Sequence, residues 1–460
     1  MPDHWLNRQA ESPVFVAGEV CATASALASR AGSIAAQLGG TARVVNYCED
    51  RYAFTAVFLA ALLKGIPCYL LPGRGDAYLQ SIRAAVPDIS VVTDSELDDV
   101  GLPVINIADC ETIRGADDSI VSIEAMQADS DRIAAVVFTS GTTGVSKPLN
   151  KSVAALLQGA RINAGILETF INRAQLPDSG HVRVIPTVPP WHMYGLEWSV
   201  LVPCLSDIEV YSGASFFPED VAAAMGEPGE IHPCLLTTPH HLRAMVAAAF
   251  PFERAHTIIS ATAPLDPDLA AALDARVSGG VFEIYGCSEA GSVAARRAGG
   301  SFRFFDDFDW RINNNGEVVL TAGHLSEPVV LSDTIKIEPD GGFSIVGRQQ
   351  DLIKVAGKRA SLAELNLALQ SVASVQDGML LQPGGDDQRL AALVVTSVDD
   401  VAAIIEDLRA RVDPTFLPRR ICKVAKLPRN DTGKVSYAEA LRLFESESAA
   451  AAVKDGGATS

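Results

Sequence analysis

An α/β fold in two parts is what this chain predicts: a large N-terminal domain of doubly wound layers carrying a strand-rich segment, then a small α+β C-terminal domain. Three observations predict it. Over residues 19–264, helical stretches alternate with short apolar strands, the pattern of parallel βαβ layers. Around Gly316 the pattern changes to strands set off by Asn315-Gly316 and Asp340-Gly341, pairs that favour tight hairpin turns. After Gly347 comes a compact run of helix, two strands and helix. A length of 460 residues exceeds one ordinary core and suits a large domain with a smaller one.

Each element follows from local pattern. Residues 44–47 read as a strand, 52–64 as a helix and 67–71 as a strand; residues 89–92, 133–138, 182–185 and 257–259 continue the strands. Residues 317–321, 329–338 and 342–346 form the strand-rich segment. In the last part, residues 362–369 and 401–411 read as helices and 379–381 and 390–395 as strands. The expected division is a core of residues 1–346, a C-terminal domain of residues 347–445, and a frayed tail of residues 446–460 that is rich in Ala, Ser and Gly.

Composition excludes several function classes. The longest apolar run, residues 53–71, is broken by Lys64, Gly65 and Pro67, so no membrane insertion is expected. Met1-Pro2-Asp3-His4 lacks the basic start of a signal peptide. Eight scattered cysteines without a C-x-x-C pair suit reduced thiols in a cytoplasmic protein. A net charge of −19 argues against nucleic-acid binding, which needs a basic footprint.

The chemistry-bearing motifs come in a fixed order. Thr139-Ser140-Gly141-Thr142-Thr143-Gly144-Val145-Ser146-Lys147 follows a strand. Its hydroxyls, glycines and lysine suit phosphate oxygens, yet no Walker A pattern aligns. Alone it reads equally well as a flexible turn. Next come Pro189-Pro190-Trp191-His192-Met193-Tyr194-Gly195, Ser260-Ala261-Thr262-Ala263-Pro264-Leu265 and Tyr285-Gly286-Cys287-Ser288-Glu289. Asp333 stands in Leu331-Ser332-Asp333, and Arg348 opens Arg348-Gln349-Gln350-Asp351-Leu352-Ile353-Lys354. Leu427-Pro428-Arg429-Asn430-Asp431-Thr432-Gly433-Lys434 closes the series. Taken singly, His192 reads as an ordinary core or surface histidine, Asp333 as a surface strand residue and Lys434 as a surface lysine after a turn.

In this order the motifs resemble those of the superfamily of acyl-CoA synthetases, aryl-acid ligases, luciferases and peptide-synthetase adenylation domains, over nearly the whole chain. The resemblance implies a distorted barrel in the strand-rich segment and a mobile C-terminal domain. It implies that residues Thr139 to Gly144 and Lys147 cradle ATP phosphates, Tyr285 stacks on adenine beside Gly286 and Ala263, Ser288 meets the α-phosphate and Glu289 holds Mg²⁺. Asp333 and Arg348 would take the ribose, and Lys434 the reacting carboxylate and α-phosphate. His192, Met193, Gly195, Ala261 and Thr262 would line the acid pocket. Two glycines of the family's S-G-G-A-P-L turn are replaced by Ala261 and Thr262, which should narrow that space. Gln350 stands at the family's hinge, where Asp or Lys is common, and Ser146 replaces the usual proline.

The implied reaction activates a carboxylic acid as an acyl-adenylate and passes it to the thiol of CoA or of an acyl carrier protein, the C-terminal domain turning between steps. Amino-acid-activating relatives place an Asp where this chain has Met193, and an unpaired ammonium is costly to bury. The segment at Trp191 is most similar to short ligases of bacterial aryl polyene and xanthomonadin-type pigment clusters, which implies a hydroxybenzoate- or hydroxycinnamate-like acid. A medium- or long-chain fatty acyl-CoA ligase is the alternative. A catalytically silent adenylate-binding scaffold is opposed by the presence of both Glu289 and Lys434, and a kinase or P-loop NTPase would instead release ADP.

Overall fold

The computed structural model describes residues 3–18, 20–108, 127–139, 147–171, 176, 181–213, 215–226, 231–348, 352–355, 358–383, 389–398, 401–429 and 435–456. The chain divides into two compact units, Met1–Asp309 with Thr321–Val329, and Trp310–Leu320 with Val330–Ser460.

The first unit holds two large sheets. One has six strands in the order Lys147–Ser152, Ile133–Thr139, Cys68–Leu70, Arg43–Asn46, Ile89–Thr93, Val104–Asn106. All its pairings are parallel except that between Lys147–Ser152 and Ile133–Thr139. The other has nine strands, with Gly280–Cys287, Thr257–Ser260, Ile231–Thr237, His181–Pro186, Glu209–Tyr211 and Pro13–Ala17 parallel in that order. Antiparallel strands close both of its edges.

Local chemistry explains the layers. The helix Arg51–Lys64 is apolar on nearly all sides and almost wholly buried, as a helix enclosed between layers must be. Asp50 starts it, accepting the Ala53 N–H at 2.8 Å, and Gly65 ends it at φ 65°. Across the nine-stranded sheet, Ile185, Leu235, Ile258 and Val281 form one apolar row. That row packs on Val221, Leu242, Met245, Ala270 and Leu273 of three covering helices, each of the larger side chains contributing roughly 1.5–3 kcal/mol by leaving water.

In the second unit, Asp377–Leu381, Ala391–Val395 and Arg420–Lys423 form a three-stranded sheet. Its residues alternate between faces. Leu380, Ala392 and Val394 join Leu365, Leu369, Ile404 and Leu408 on one side. Leu381, Ala391 and Leu393 join Ala440 and Phe444 on the other. The strand-rich segment contains the hairpin of Asp333–Ile337 with Phe343–Arg348 and a small sheet of Asp309–Ile312, Val318–Thr321 and Val329–Val330. One expected strand, residues 329–338, is therefore two. It breaks at Leu331, whose N–H bonds to Val318 and whose side chain is buried. The expected frayed tail is also corrected. The helix Tyr437–Gly456 runs through most of it, because the Ala-rich residues 449–452 have high helix propensity. Among the described residues, no helix is long and apolar enough to cross a membrane.

Candidate active site

In open α/β sheets, ligands bind outside the carboxyl ends of the strands, where helices and loops part. In the nine-stranded sheet that edge is polar. Two residues beyond the apolar row, Thr187 Oγ1 meets Thr237 Oγ1 at 2.8 Å, Thr237 is registered with Ser260, and Ser260 with Glu283. His241 lies over this row, its Nδ1 3.0 Å from Thr187 Oγ1, and burial pushes its pKa down to about 4. The exposed Phe216 ring meets His241 edge-on at 5.2 Å. Ser260 Oγ is buried with no hydrogen-bond partner among the described residues. Glu283 accepts the Leu265 N–H at 3.1 Å and pairs with Arg296 at 2.7 Å, fixing the far end of the Ser260–Leu265 turn.

That turn is strained. Thr262 sits at φ 79°, a left-handed conformation that a β-branched residue adopts only when its surroundings impose it. Ala261 is buried, Thr262 is partly buried and Ala263 is exposed. The turn is joined to the pocket motif, since Tyr194 Oη donates to the Ile259 carbonyl at 2.9 Å. His192 caps the short helix Met193–Leu196, its Nδ1 accepting the Tyr194 N–H at 3.4 Å. Gly195 is required by close approach: a Cβ there would lie 2.0 Å from the Pro189 carbonyl oxygen. Met193 is buried and brings no charge to this helix. Behind the motif, the buried Arg51 guanidinium donates to the Val188 carbonyl at 2.8 Å and to Ser199 Oγ at 2.5 Å. Trp191 stacks on Arg74 at 4.4 Å.

The Tyr285–Glu289 motif turns between two antiparallel strands, Gly280–Cys287 and Gly291–Arg297. Tyr285 is buried, with Phe302 6.0 Å away. Ser288 is partly exposed and Glu289 exposed. Burial pushes the Cys287 thiol up to about 12, so this cysteine is protonated and inert as a nucleophile. The Lys151 ammonium donates to the Glu289 carbonyl oxygen at 2.6 Å. Glu197 accepts from Ser292 N at 3.1 Å and Ser292 Oγ at 2.7 Å. Trp198 Nε1 also donates to Ser292 Oγ, at 2.9 Å.

The remaining expected residues are distributed as follows. Thr139 and Lys147 face each other as antiparallel partners, with Lys147 exposed. Ser140, Gly141, Thr142, Thr143 and Gly144 lie outside the described residues, as do Gln350 and Lys434. In the second unit, Asp333 and Arg348 are direct partners across their hairpin, an adjacency that fourteen residues of intervening sequence conceal. Arg429 and Val435, on either side of the Lys434 segment, form an antiparallel bridge. Arg429 also grips Asp377, with Nε to Oδ2 at 2.8 Å.

Sequence reasoning missed Arg51, Lys151, Glu197, Thr187, Thr237 and His241. For Glu197 there was a signal, a lone carboxylate inside the apolar run of residues 193–205. For Lys151 there was none, because Lys147–Ser152 is mostly polar and reads as an exposed strand.

A family profile described as AMP-binding enzyme matches residues 2–323. A 4-coumarate–CoA ligase of Rhodobacter capsulatus is 29% identical over 303 residues, covering 66% of this chain and 74% of its own length. Another from Cereibacter sphaeroides is 27% identical, covering 65% of this chain and 69% of its own length. Among solved structures, ATP-bound MatB from Rhodopseudomonas palustris superposes with TM-score 0.78 at 19% identity, covering 95% of this chain and 96% of its own. The o-succinylbenzoate CoA synthetase of Bacillus subtilis with its acyl-adenylate intermediate gives TM-score 0.78 at 16% identity, covering 93% and 95%. These structures share the fold. The chain belongs to the AMP-binding enzyme family and is an ATP-using, AMP-forming acid–thiol ligase.

Proposed function

We propose that the chain activates an aromatic carboxylic acid, of hydroxybenzoate or hydroxycinnamate type, and transfers it to the thiol of CoA or of a carrier protein's phosphopantetheine. The observation that carries the substrate reading is the acid-side turn. Thr262 occupies a left-handed position that glycine would fill without a side chain, and Tyr194 ties the pocket helix to the strand just before it. A pocket narrowed there suits a flat ring better than a long flexible chain. The buried thioether of Met193 offers no partner to an α-ammonium. The similarity to two 4-coumarate–CoA ligases supports the same reading.

In this reading the acid's carboxylate attacks the α-phosphorus of ATP and pyrophosphate leaves. Tyr285 offers adenine an aromatic face, Ser288 a hydroxyl to the α-phosphate, and Asp333 with Arg348 a ribose site. Lys434 stabilises charge developing at phosphorus, and rotation near Gln350 then brings a second face of the small domain to the thiol step. Mg²⁺ fits the residues present. Among the described residues, no three His, Cys, Asp or Glu gather to hold a metal by themselves. One exposed carboxylate, Glu289, suits an octahedral cation that arrives with most of its ligands on nucleotide phosphates. That cation would neutralise phosphate charge. Use of ATP and reduced thiols favours a cytoplasmic location.

ATP–pyrophosphate exchange over a panel of aromatic, fatty and amino acids tests this. Hydroxylated aromatic acids should drive exchange far better than the others. A preference for palmitate-like acids would overturn the substrate reading, and exchange driven by amino acids would overturn the role given to Met193.

A further inference from the structure

Two charged side chains that motif matching does not single out meet the turn bearing Ser288 and Glu289. Lys151 belongs to the strand Lys147–Ser152, which directly follows the phosphate-loop sequence. Glu197 opens a π-helical turn, Glu197–Leu201, directly after the pocket helix that His192 caps. Such π turns recur at functional sites. Both side chains are buried, Lys151 at 6% and Glu197 at 5% exposure. Lys151 takes hold of the turn at the Glu289 carbonyl, and Glu197 takes hold three residues later at Ser292 N and Oγ. Gly291, at φ 78°, leaves room for this grip, since a Cβ there would lie 2.1 Å from Glu197 Oε1.

We propose that Lys151 and Glu197 are positioning residues that brace the Ser288–Glu289 turn from beneath and so set where the Glu289 carboxylate meets the Mg²⁺ carried by ATP. The proposal rests on the assignment of that carboxylate to Mg²⁺. The brace joins three motifs, because one partner extends from the phosphate-loop strand and the other from the acid-pocket helix. Stability is a poor explanation for such an arrangement. Burial lowers the Lys151 pKa and raises that of Glu197, and each charge only partly draws the other back. A buried charge, even with an opposite charge nearby, often does no better for stability than an apolar residue of the same volume. What it does provide is directional bonding at two fixed points on a turn whose Glu289 side chain is exposed.

The test compares Lys151→Met, Lys151→Arg, Glu197→Gln and Glu289→Gln in the full chain. Three quantities are read: the Mg²⁺ midpoint of ATP–pyrophosphate exchange, the KM for the acid, and calorimetric binding of α,β-methylene-ATP with and without Mg²⁺. Lys151→Met should raise the Mg²⁺ midpoint about tenfold, the usual effect of removing a group that orients a metal ligand. It should weaken analogue binding only when Mg²⁺ is present and leave the acid KM unchanged. Lys151→Arg should restore most of the loss. Glu197→Gln, which keeps its shape and its bonds to Ser292, should shift the midpoint in the same direction by less. An unmoved midpoint in folded Lys151→Met and Glu197→Gln overturns the proposal. So does an equal loss of acid KM and Mg²⁺-free analogue binding, which marks a merely structural role. Glu289→Gln separates the two readings. If it leaves the midpoint unmoved, the Mg²⁺ assignment fails and the brace with it. If it moves the midpoint and the other variants do not, only the brace fails.

Discussion

Single residues carry two consequences open to measurement. The first is strain at Thr262. A left-handed non-glycine residue stores roughly 1–3 kcal/mol, while glycine adds up to about 1 kcal/mol of unfolded-chain entropy to be lost. Thr262→Gly should therefore raise urea stability by about 1 kcal/mol and widen the range of acids that drive exchange. Thr262→Ala keeps the strain and should not stabilise. The second is His241. Its pKa falls from 6.5 unfolded to about 4 folded, through burial and then through His240. The folded chain thus binds this proton less readily than the unfolded chain. The stabilising contribution is full above pH 6.5 and is lost as pH falls toward 4. The advantage of wild type over His241→Gln in urea unfolding should shrink by about 2 kcal/mol between roughly pH 7 and pH 5. An advantage that does not change with pH would mean that the folded ring takes up its proton as readily as the unfolded one.

Elements show how far local pattern reaches. The helix Arg51–Lys64 was legible because its apolar run is long and ends at Gly65. Its start does more than local pattern reveals. Asp50 caps Ala53 with one oxygen and accepts from Ser212 Oγ with the other, at 2.7 Å. Ser212 follows a strand of the other sheet. Asp50→Ala should cost about 2 kcal/mol, at the upper end for a lost cap, with Asp50→Asn losing much less; chemical denaturation of both variants checks it. The strands of the large sheets were legible as strands, but their order was not. Pro13–Ala17 pairs with Glu209–Tyr211 almost two hundred residues away, and side-chain alternation carries no information about which strand lies alongside. The candidate site divides in the same way. Tyr285, Glu289 and His192 stand in compact motifs, whereas Lys151, Glu197 and Thr187 gain meaning only from partners that the sheets bring beside them.

At the scale of the whole molecule, two half-reactions must share one set of residues. If Lys434 serves only adenylation, Lys434→Ala should abolish pyrophosphate exchange and spare thioester formation from supplied acyl-adenylate; equal loss in both would overturn rotation about Gln350. The thiol acceptor is a separate question of charge. A chain of net charge −19 repels an acidic carrier protein at long range, so a carrier needs a locally basic surface. The second unit has one: Arg409, Arg411, Arg419, Arg420, Lys423 and Lys426 are all exposed. Arg420 and Lys423 lie on the outer strand of the three-stranded sheet. Not every charge in the cluster is equally available. Arg409 lies 3.5 Å from Glu406, and Lys423 donates to the Val398 carbonyl at 3.1 Å. Arg419 stands next to Arg420 at the start of that strand, and the Arg420 guanidinium is 5.7 Å from the Phe444 ring. Reversing both to Glu should slow acyl transfer to a carrier about tenfold at low salt, through the encounter rate. Adenylation should stay unchanged. The defect should shrink as salt rises, because exposed charges more than about 10 Å apart are screened near 0.1 M. Transfer that is unchanged in the double variant, or free CoA strongly preferred by the wild type, would identify CoA as the acceptor and leave the basic edge as a solvated surface.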